Sequence, residues 1–399
     1  MYDICIVGGG ASGLVLAILL AREDKRVVVF EKNRRVGKRI LATGNGRCNI
    51  TNLYISIDKF YSKNSKFLKK SILKYREIER FFNSIGLNFT YLDDGRVFPL
   101  SLQASSVVEL LEYELNRLGV EVIYSRVEDI EKKSKLFRVF YEDRRYIDSK
   151  VTVVATGNIA NSKLGGSSDG LDFAKSFGHK LTPLLPSLVQ FTSRMRGLKR
   201  VAGVRVEARV SLGDKSTKGD ILFTNYGISG LAILDMSFFI TEELNQKEEL
   251  NLSLDLVPEI SQKELFNMLL KSIKSQPDKS VRVWLMGFLN RKLIDFLIDI
   301  DRTKSIKSLS KREISSIVKS IKSFQFGVNG TKGFEYAEVV RGGVDTRYIE
   351  SHSMESKLVK DLYFIGEVLD VDGARGGYNL HFAWSSAFRA RDGILCSIR

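Results

Sequence analysis

The sequence predicts an α/β fold: a Rossmann-type domain, discontinuous along the chain and interrupted by a β-rich insertion that itself contains helices. Three observations predict it. A glycine-punctuated strand, helix, strand unit occupies residues 4–32. Two distant buried strands, within 150–158 and 361–391, end in glycine turns. From residue 183 the pattern changes to short stretches that alternate apolar and polar residues or stop at glycines.

Each element follows in order. "ICIVG" reads as a buried strand, and "GGGASGLVLAILLARED" turns into a helix whose small residues Ala11, Ser12 and Gly13 permit close approach. "RVVVFEK" is a second buried strand ending in Glu31. Gly8, Gly10 and Gly13, followed by an acid 18 residues after the last glycine, form a dinucleotide fingerprint in its expected context. Glycines let a pyrophosphate rest on free amides at a helix N-terminus, and the carboxylate accepts from a ribose hydroxyl.

The chain then passes into "RRVGKRILATGNGRCNITN" instead of further repeated βα units, which favours a flavin dinucleotide over a nicotinamide as the resident cofactor. "DDGRVFPLS" reads as a turn and hairpin edge, residues 105–118 as an amphipathic helix, and residues 119–150 as a small antiparallel sheet attached to the nucleotide domain. "KVTVVATGN" supplies a strand ending in Ala155, Thr156 and Gly157, and "DLYFIGEVLDVDGARGGYNLHFAWSSAFRAR" a strand, a charged loop, paired glycines and a helix. Together with the first unit they would assemble one long cleft. The stretch 183–250, including "GDILFTNYGISGLAILDMSFFI", reads as β-rich and barrel-like; helices follow Pro258 through 322, and β character returns at 326–344. The expected division is 1–188 and 345–399 for the nucleotide domain, 189–254 and 326–344 for the barrel, and 255–325 for a helical cap.

Composition narrows the class. With 399 residues, 44% apolar and 27% charged, the chain is an ordinary globular one with room for about two or three cores. No uncharged apolar run approaches the roughly 18 residues a membrane helix needs, and the N-terminus reads as a strand, not a signal peptide. Three scattered cysteines, Cys5, Cys48 and Cys396, fit a reducing cytoplasm. His179, His352 and His381 lack ligand spacing, so no metal is expected. A formal charge of +15 suits a polyanionic partner or a basic surface kept for solubility, and charge alone does not choose.

The motifs "VGGGASGL", "VGKRILATGNGRCNITN", "GRVFP" and "IGEVLDVDGARGGYNLHFAWSSA" resemble the BaiN/YhiN (HI0933-like) group of FAD-dependent oxidoreductases over essentially the whole chain. The resemblance implies a glutathione-reductase-type FAD-binding domain, a β-barrel domain and a helical cap. Members of the group are assigned bile-acid ene reduction, aminoacetone oxidation and reduction of a uridine in 23S ribosomal RNA to dihydrouridine. His381 before Phe382, and Ala387 after the paired serines, depart from the usual pattern.

The expected cofactor contacts are Gly8, Gly10, Ala11, Ser12, Gly13, Glu31, Lys32, Lys38, Arg39, Thr43, Gly44, Gly46, Arg47, Cys48, Asn49 and Val127 from the first part of the chain. Ala155, Thr156, Gly157, Gly366, Glu367, Asp372, Gly376, Gly377, Tyr378, Asn379 and Leu380 complete the set. Lys38 or Arg39 would offset pyrophosphate charge. Arg47 would steady charge on the ring or a substrate carbonyl, or else bridge to a loop carboxylate. Reduction of a C=C bond needs a proton as well as a hydride; Cys48, Tyr378 and His381 are the candidate donors, with plain packing the rival role for the thiol. No second glycine fingerprint marks a site for the electron donor, so NAD(P)H would dock transiently.

Positive charge is also clustered. Residues 302–322 hold seven Lys/Arg and one acid, and 59–80 hold eight and two. Lys304, Lys307, Lys311, Arg312, Lys319 and Lys322 could grip RNA phosphates. The sequence-level expectation is uridine reduction in 23S ribosomal RNA with electrons from NAD(P)H. The alternatives are small-molecule ene reduction, aminoacetone or amine oxidation, and a noncatalytic flavin-binding role.

Overall fold

The computed structural model describes residues 1–398, which divide into two compact units, Met1–Leu185 with Val339–Arg399 and Pro186–Glu338.

The first unit is built on a seven-stranded sheet. Its parallel core runs Glu121–Ile123, Val27–Phe30, Tyr2–Val7, Arg145–Val154 and Leu362–Phe364, with Ile4 opposite Val27 and Val151, and Thr152 opposite Leu362. Tyr2–Val7, Val27–Phe30 and Leu362–Phe364 are short apolar runs, buried along most or all of their length, as a parallel sheet covered by helices requires. The Ala11–Ala21 helix is apolar nearly all round because it is enclosed, packed beside the C-terminal Tyr378–Ser397 helix. Residues 119–150 do not form a separate sheet. The strands Val127–Lys133 and Leu136–Tyr141 make a meander with Arg145–Val154, and that last strand is long enough to join the parallel core with its second half. This is a Rossmann-type fold.

The second unit carries another seven-stranded sheet, in the order Phe324–Val328, Leu250–Asp255, Arg205–Leu212, Lys215–Phe223, Gly227–Ser229, Phe191–Thr192, Gly330–Thr331. Its pairing is antiparallel. Among the described residues no ladder joins the two ends of the path, so the expected barrel is an open sheet; its end strands are nonetheless consecutive in sequence, separated only by Asn329. The stretch 231–244, expected to be β, is a helix. Its buried residues Ala232, Ile233, Met236, Ser237, Ile240 and Thr241 recur at three- and four-residue steps and lie on one face. The helical segment following Pro258 resolves into Gln262–Ser275, Val281–Leu285, Arg291–Leu297 and Lys311–Lys322. The first and last of these open with capping boxes, Ser261 with Glu264 and Ser310 with Glu313. Among the described residues no helix is long and apolar enough to cross a membrane.

Candidate functional site

The glycine turn after the first strand is shaped by contact with backbone. Gly8 has φ +118°, and a Cβ there would lie 2.4 Å from the Ala155 carbonyl oxygen; a Cβ on Gly13 would lie 2.0 Å from the Gly8 carbonyl oxygen. Gly10 differs from both, because a Cβ there would meet nothing within 4 Å. Gly10 is the N-cap of the Ala11–Ala21 helix, and no side chain caps it. The first amides of this helix therefore open onto a space that accepts an anion.

Glu31 closes one side of the turn. It is buried, and its Oε2 accepts from the Gly9 amide at 3.1 Å while Oε1 accepts from the Asn33 amide at 2.7 Å. Oε1 also accepts from Asn33 Nδ2 at 2.6 Å. A carboxylate offers about four acceptor positions, so a sugar hydroxyl can still donate to it. Lys32 turns instead to Asp169, 3.8 Å away, which Arg126 also holds at 2.7 Å. Val127 is buried at the start of its strand.

Two other segments meet this turn. A Cβ on Gly366 would lie 2.6 Å from Ser12 Oγ, and the Gly366 amide donates to Ser386 Oγ at 2.9 Å. Arg39 Nη1 pairs with Glu367 Oε2 at 2.6 Å, and Glu367 Oε1 accepts from the Val340 amide at 3.2 Å. A Cβ on Gly157 would sit 3.5 Å from Arg39 Nη1. Arg39 is thus tied to a carboxylate across the loops.

The loop at 41–52 is a tight coil. Gly44 and Asn45 are left-handed, with φ near 58° and 57°, and Cys48 follows at φ 59°. The Cys48 amide donates to the Thr43 carbonyl at 3.0 Å, and Thr43 Oγ1 to the Ile40 carbonyl at 2.7 Å. Gly46 lies exposed at the turn, Asn49 buried just beyond it. Arg47 is half-buried; its Nε reaches the Gly44 carbonyl at 3.3 Å and its guanidinium lies 5.1 Å from the Phe98 ring centroid. Arg96 approaches the same ring at 5.9 Å. No carboxylate bridge to Arg47 is formed among the described contacts.

The C-terminal loop is fastened to this coil. A Cβ on Gly377 would lie 2.5 Å from the Thr51 carbonyl oxygen, and Asn52 Nδ2 donates to the Gly376 carbonyl at 3.1 Å. Asn379 braces the loop by accepting from the Gly373 amide at 2.8 Å and donating to its carbonyl at 2.7 Å. Asp372 is buried opposite Tyr61 in a two-residue ladder.

All three expected proton donors are enclosed. Cys48 has no exposed surface, and burial pushes its thiol up to about 12. Tyr378 is buried with its hydroxyl given to the Tyr54 carbonyl at 3.1 Å, and burial raises its pKa. His381 is also fully buried: Nε2 lies 2.9 Å from the Leu73 carbonyl and Nδ1 2.7 Å from Thr51 Oγ1. Nε2 therefore carries the proton and Nδ1 accepts, and desolvation holds the ring neutral with a pKa down to about 4.

The expected RNA surface is partly consumed by internal pairing. Lys304 binds Glu313 at 2.9 Å, Lys307 binds Asp278 at 2.6 Å, and Lys322 is enclosed against Asp255 at 2.7 Å and the Val257 and Ile260 carbonyls. Lys311, Arg312 and Lys319 remain exposed. Sequence reasoning missed Arg341 and Arg96; the available signal for Arg341 was a lone cation inside the apolar run "EVVRGGV".

A glycine-lined space at an uncapped helix start, an acid at the end of the second strand and two further glycine turns against it suit a flavin dinucleotide. The sequence matches the HI0933-like protein Rossmann domain over residues 2–393. The chain belongs to the HI0933-like family. Like its family, it is an FAD-dependent oxidoreductase. This HI0933-like chain is 34% identical to the 3-dehydro-bile acid delta(4,6)-reductase of Clostridium scindens, with 98% of each chain covered. It is also 34% identical to the ribosomal RNA dihydrouridine synthase of Haemophilus influenzae, with 96% of each covered. Among solved structures, 3-ketosteroid delta1-dehydrogenase from Sterolibacterium denitrificans matches with a TM-score of 0.54 at 12% identity, covering 99% of both chains; that likeness concerns the fold alone.

Proposed function

We propose that the protein reduces a C=C bond conjugated to a carbonyl in a small molecule, drawing electrons from NAD(P)H through FAD. The observation that carries this reading is full-length similarity to a bile-acid double-bond reductase, joined to a surface on which three of the six expected RNA-gripping cations are engaged in internal ion pairs. Bound FAD would supply a hydride for such a bond, and solvent water the proton that completes its reduction. The free amides at the start of the Ala11–Ala21 helix would hold its pyrophosphate, and Glu31 would take a ribose hydroxyl. The Arg39 and Glu367 pair ties together two loops that would border the cofactor. Arg47, held at Phe98 and by the Gly44 carbonyl, offers positive charge where a carbonyl oxygen gains electrons. Cys48, Tyr378 and His381 pack and brace this end; none is placed to hand a proton outward.

Ribosomal RNA is the second reading. It is favoured by the +15 charge, the exposed Lys311, Arg312 and Lys319, and equal identity to a dihydrouridine synthase. Anaerobic mixing separates the two. The flavin, bleached with NADPH, is offered a 3-oxo-4,6-diene steroid or unmodified ribosomal RNA, and recovery of yellow absorbance is followed with product mass. Rapid reoxidation by the dienone supports the first reading; indifference to dienones together with dihydrouridine formation overturns it. In a separate assay in air, peroxide produced with aminoacetone would move the assignment to amine oxidation.

A further inference from the structure

A buried arginine and acid in the first unit have no role in the steps just described. Arg341 ends the Val339–Arg341 strand, and Asp372 stands opposite Tyr61 in the ladder between Asp372–Gly373 and Phe60–Tyr61. Their side chains are only 5% and 3% exposed. Arg341 Nε lies 3.6 Å from Asp372 Oδ1, beyond good hydrogen-bond distance, and that oxygen has no hydrogen-bond partner. The guanidinium carbon sits 3.9 Å from the Tyr61 ring centroid.

Two other acids crowd the pair. Asp370 is buried, with Oδ2 accepting from the Lys63 amide at 3.1 Å and Oδ1 without a partner. Glu367 is held by Arg39. Loss of solvent, with Asp370 and Glu367 nearby, lifts Asp372 to about 7 against the pull of Arg341. A carboxyl with an unmet oxygen, beside a second buried carboxyl, is one that neutralises readily by taking a proton.

The cluster adjoins the cofactor residues. Glu367, which acts electrostatically on Asp372, meets Arg39 beside Gly157, and the chain beyond Asp372 leads through Gly376 and Gly377 into the C-terminal helix. A unit negative charge about 10 Å away, at an effective dielectric of about 20, raises a carboxylate's proton affinity more than tenfold.

We propose that Asp372 is a positioning residue of the redox centre that takes up one proton when negative charge arrives on the bound cofactor and releases it when the charge leaves. Arg341 keeps the carboxylate in place when the proton is gone. NAD(P)H loses two electrons and a proton as hydride, the flavin gains them, and a separate proton from solvent converts the Asp372 carboxylate to the acid. This inference rests on the reading of the protein as a flavin-dependent reductase.

The test is a redox titration of the FAD-loaded protein from pH 5.5 to 9, for the wild type and Asp372→Asn. Around neutrality the wild-type potential should fall more steeply than the variant's by up to one proton per two electrons, about 30 mV per pH unit. Because the variant may alter folding, the wild type is also measured alone by reduced-minus-oxidised infrared difference spectroscopy above pH 7. A carboxylic-acid C=O band should appear on reduction. Equal slopes in a folded, flavin-loaded variant, or no such band in the wild type, overturn the assignment of Asp372 and leave the reductase reading intact. A folded chain that takes up no flavin overturns both.

Discussion

Gly10 and Gly13 give opposite expectations for the same substitution. In Gly13→Ala the new Cβ would stand 2.0 Å from the Gly8 carbonyl oxygen, so helix and turn must separate by about 1 Å in a packed core. Overpacking of this kind costs about 1–3 kcal/mol. In Gly10→Ala the new Cβ meets nothing within 4 Å, and the backbone at φ −88°, ψ −167° suits alanine. Alanine is a poorer N-cap than glycine by several tenths of a kcal/mol, while the stiffer unfolded chain returns about 0.4–1 kcal/mol. The apoprotein should therefore keep its stability to within about 0.5 kcal/mol. Its flavin should be lost, because the methyl fills the space through which a pyrophosphate approaches the helix amides. We expect at least a hundredfold weaker FAD binding, about 2.8 kcal/mol. Urea unfolding of the apoproteins and fluorescence titration with FAD measure the two quantities separately. A Gly10→Ala protein that retains FAD within threefold of wild type would refute the placement of the pyrophosphate.

Other expectations concern the enclosed side chains and the exposed cations. His381 and His179 are both buried neutral, with pKa values lowered by desolvation from 6.5 to about 4. The unfolded chain binds their protons first, so stability is full above about pH 6.5 and declines as pH falls toward 4, by about 3 kcal/mol for each ring; urea midpoints across this range measure it. A flat profile from pH 7 to 4 would mean the rings are not buried neutral. Cys48→Ala should cost about 1 kcal/mol of stability and leave turnover per bound flavin within twofold, since the thiol is fully buried; a hundredfold loss in steady-state rate would restore the thiol as proton donor. Reversing Lys311, Arg312 and Lys319 together to glutamate should leave enone turnover and flavin content unchanged. A matched fall in ribosomal RNA affinity and dihydrouridine yield would instead establish that face as an RNA contact.

The sequence was most informative where backbone geometry restricts residue choice. The contacts of Gly8 and Gly13 exclude side chains, so the glycine pattern and the acid at the end of the second strand expose both the fold and the dinucleotide turn. Residues 231–244 read as β from sequence because an apolar run after a glycine satisfies strand and helix alike until its buried positions are known. Lysine clusters were legible as charge but not as available charge: Glu313, Asp278 and Asp255 claim Lys304, Lys307 and Lys322, and two of those acids are remote in sequence.

The same distinction governs the chemistry. Cys48, Tyr378 and His381 have functional groups suited to proton transfer, but accessibility decides whether those groups can act, and folding encloses all three. Asp372 shows the converse. Its sequence context marked it as a cofactor contact, while burial beside Arg341 and Asp370 gives its carboxyl a protonation state that a nearby change of charge can alter. Proton uptake can therefore be coupled to electron arrival without Asp372 touching the substrate, and the pH dependence of the cofactor potential separates that coupling from an anchor, which would hold the loop equally well at every pH.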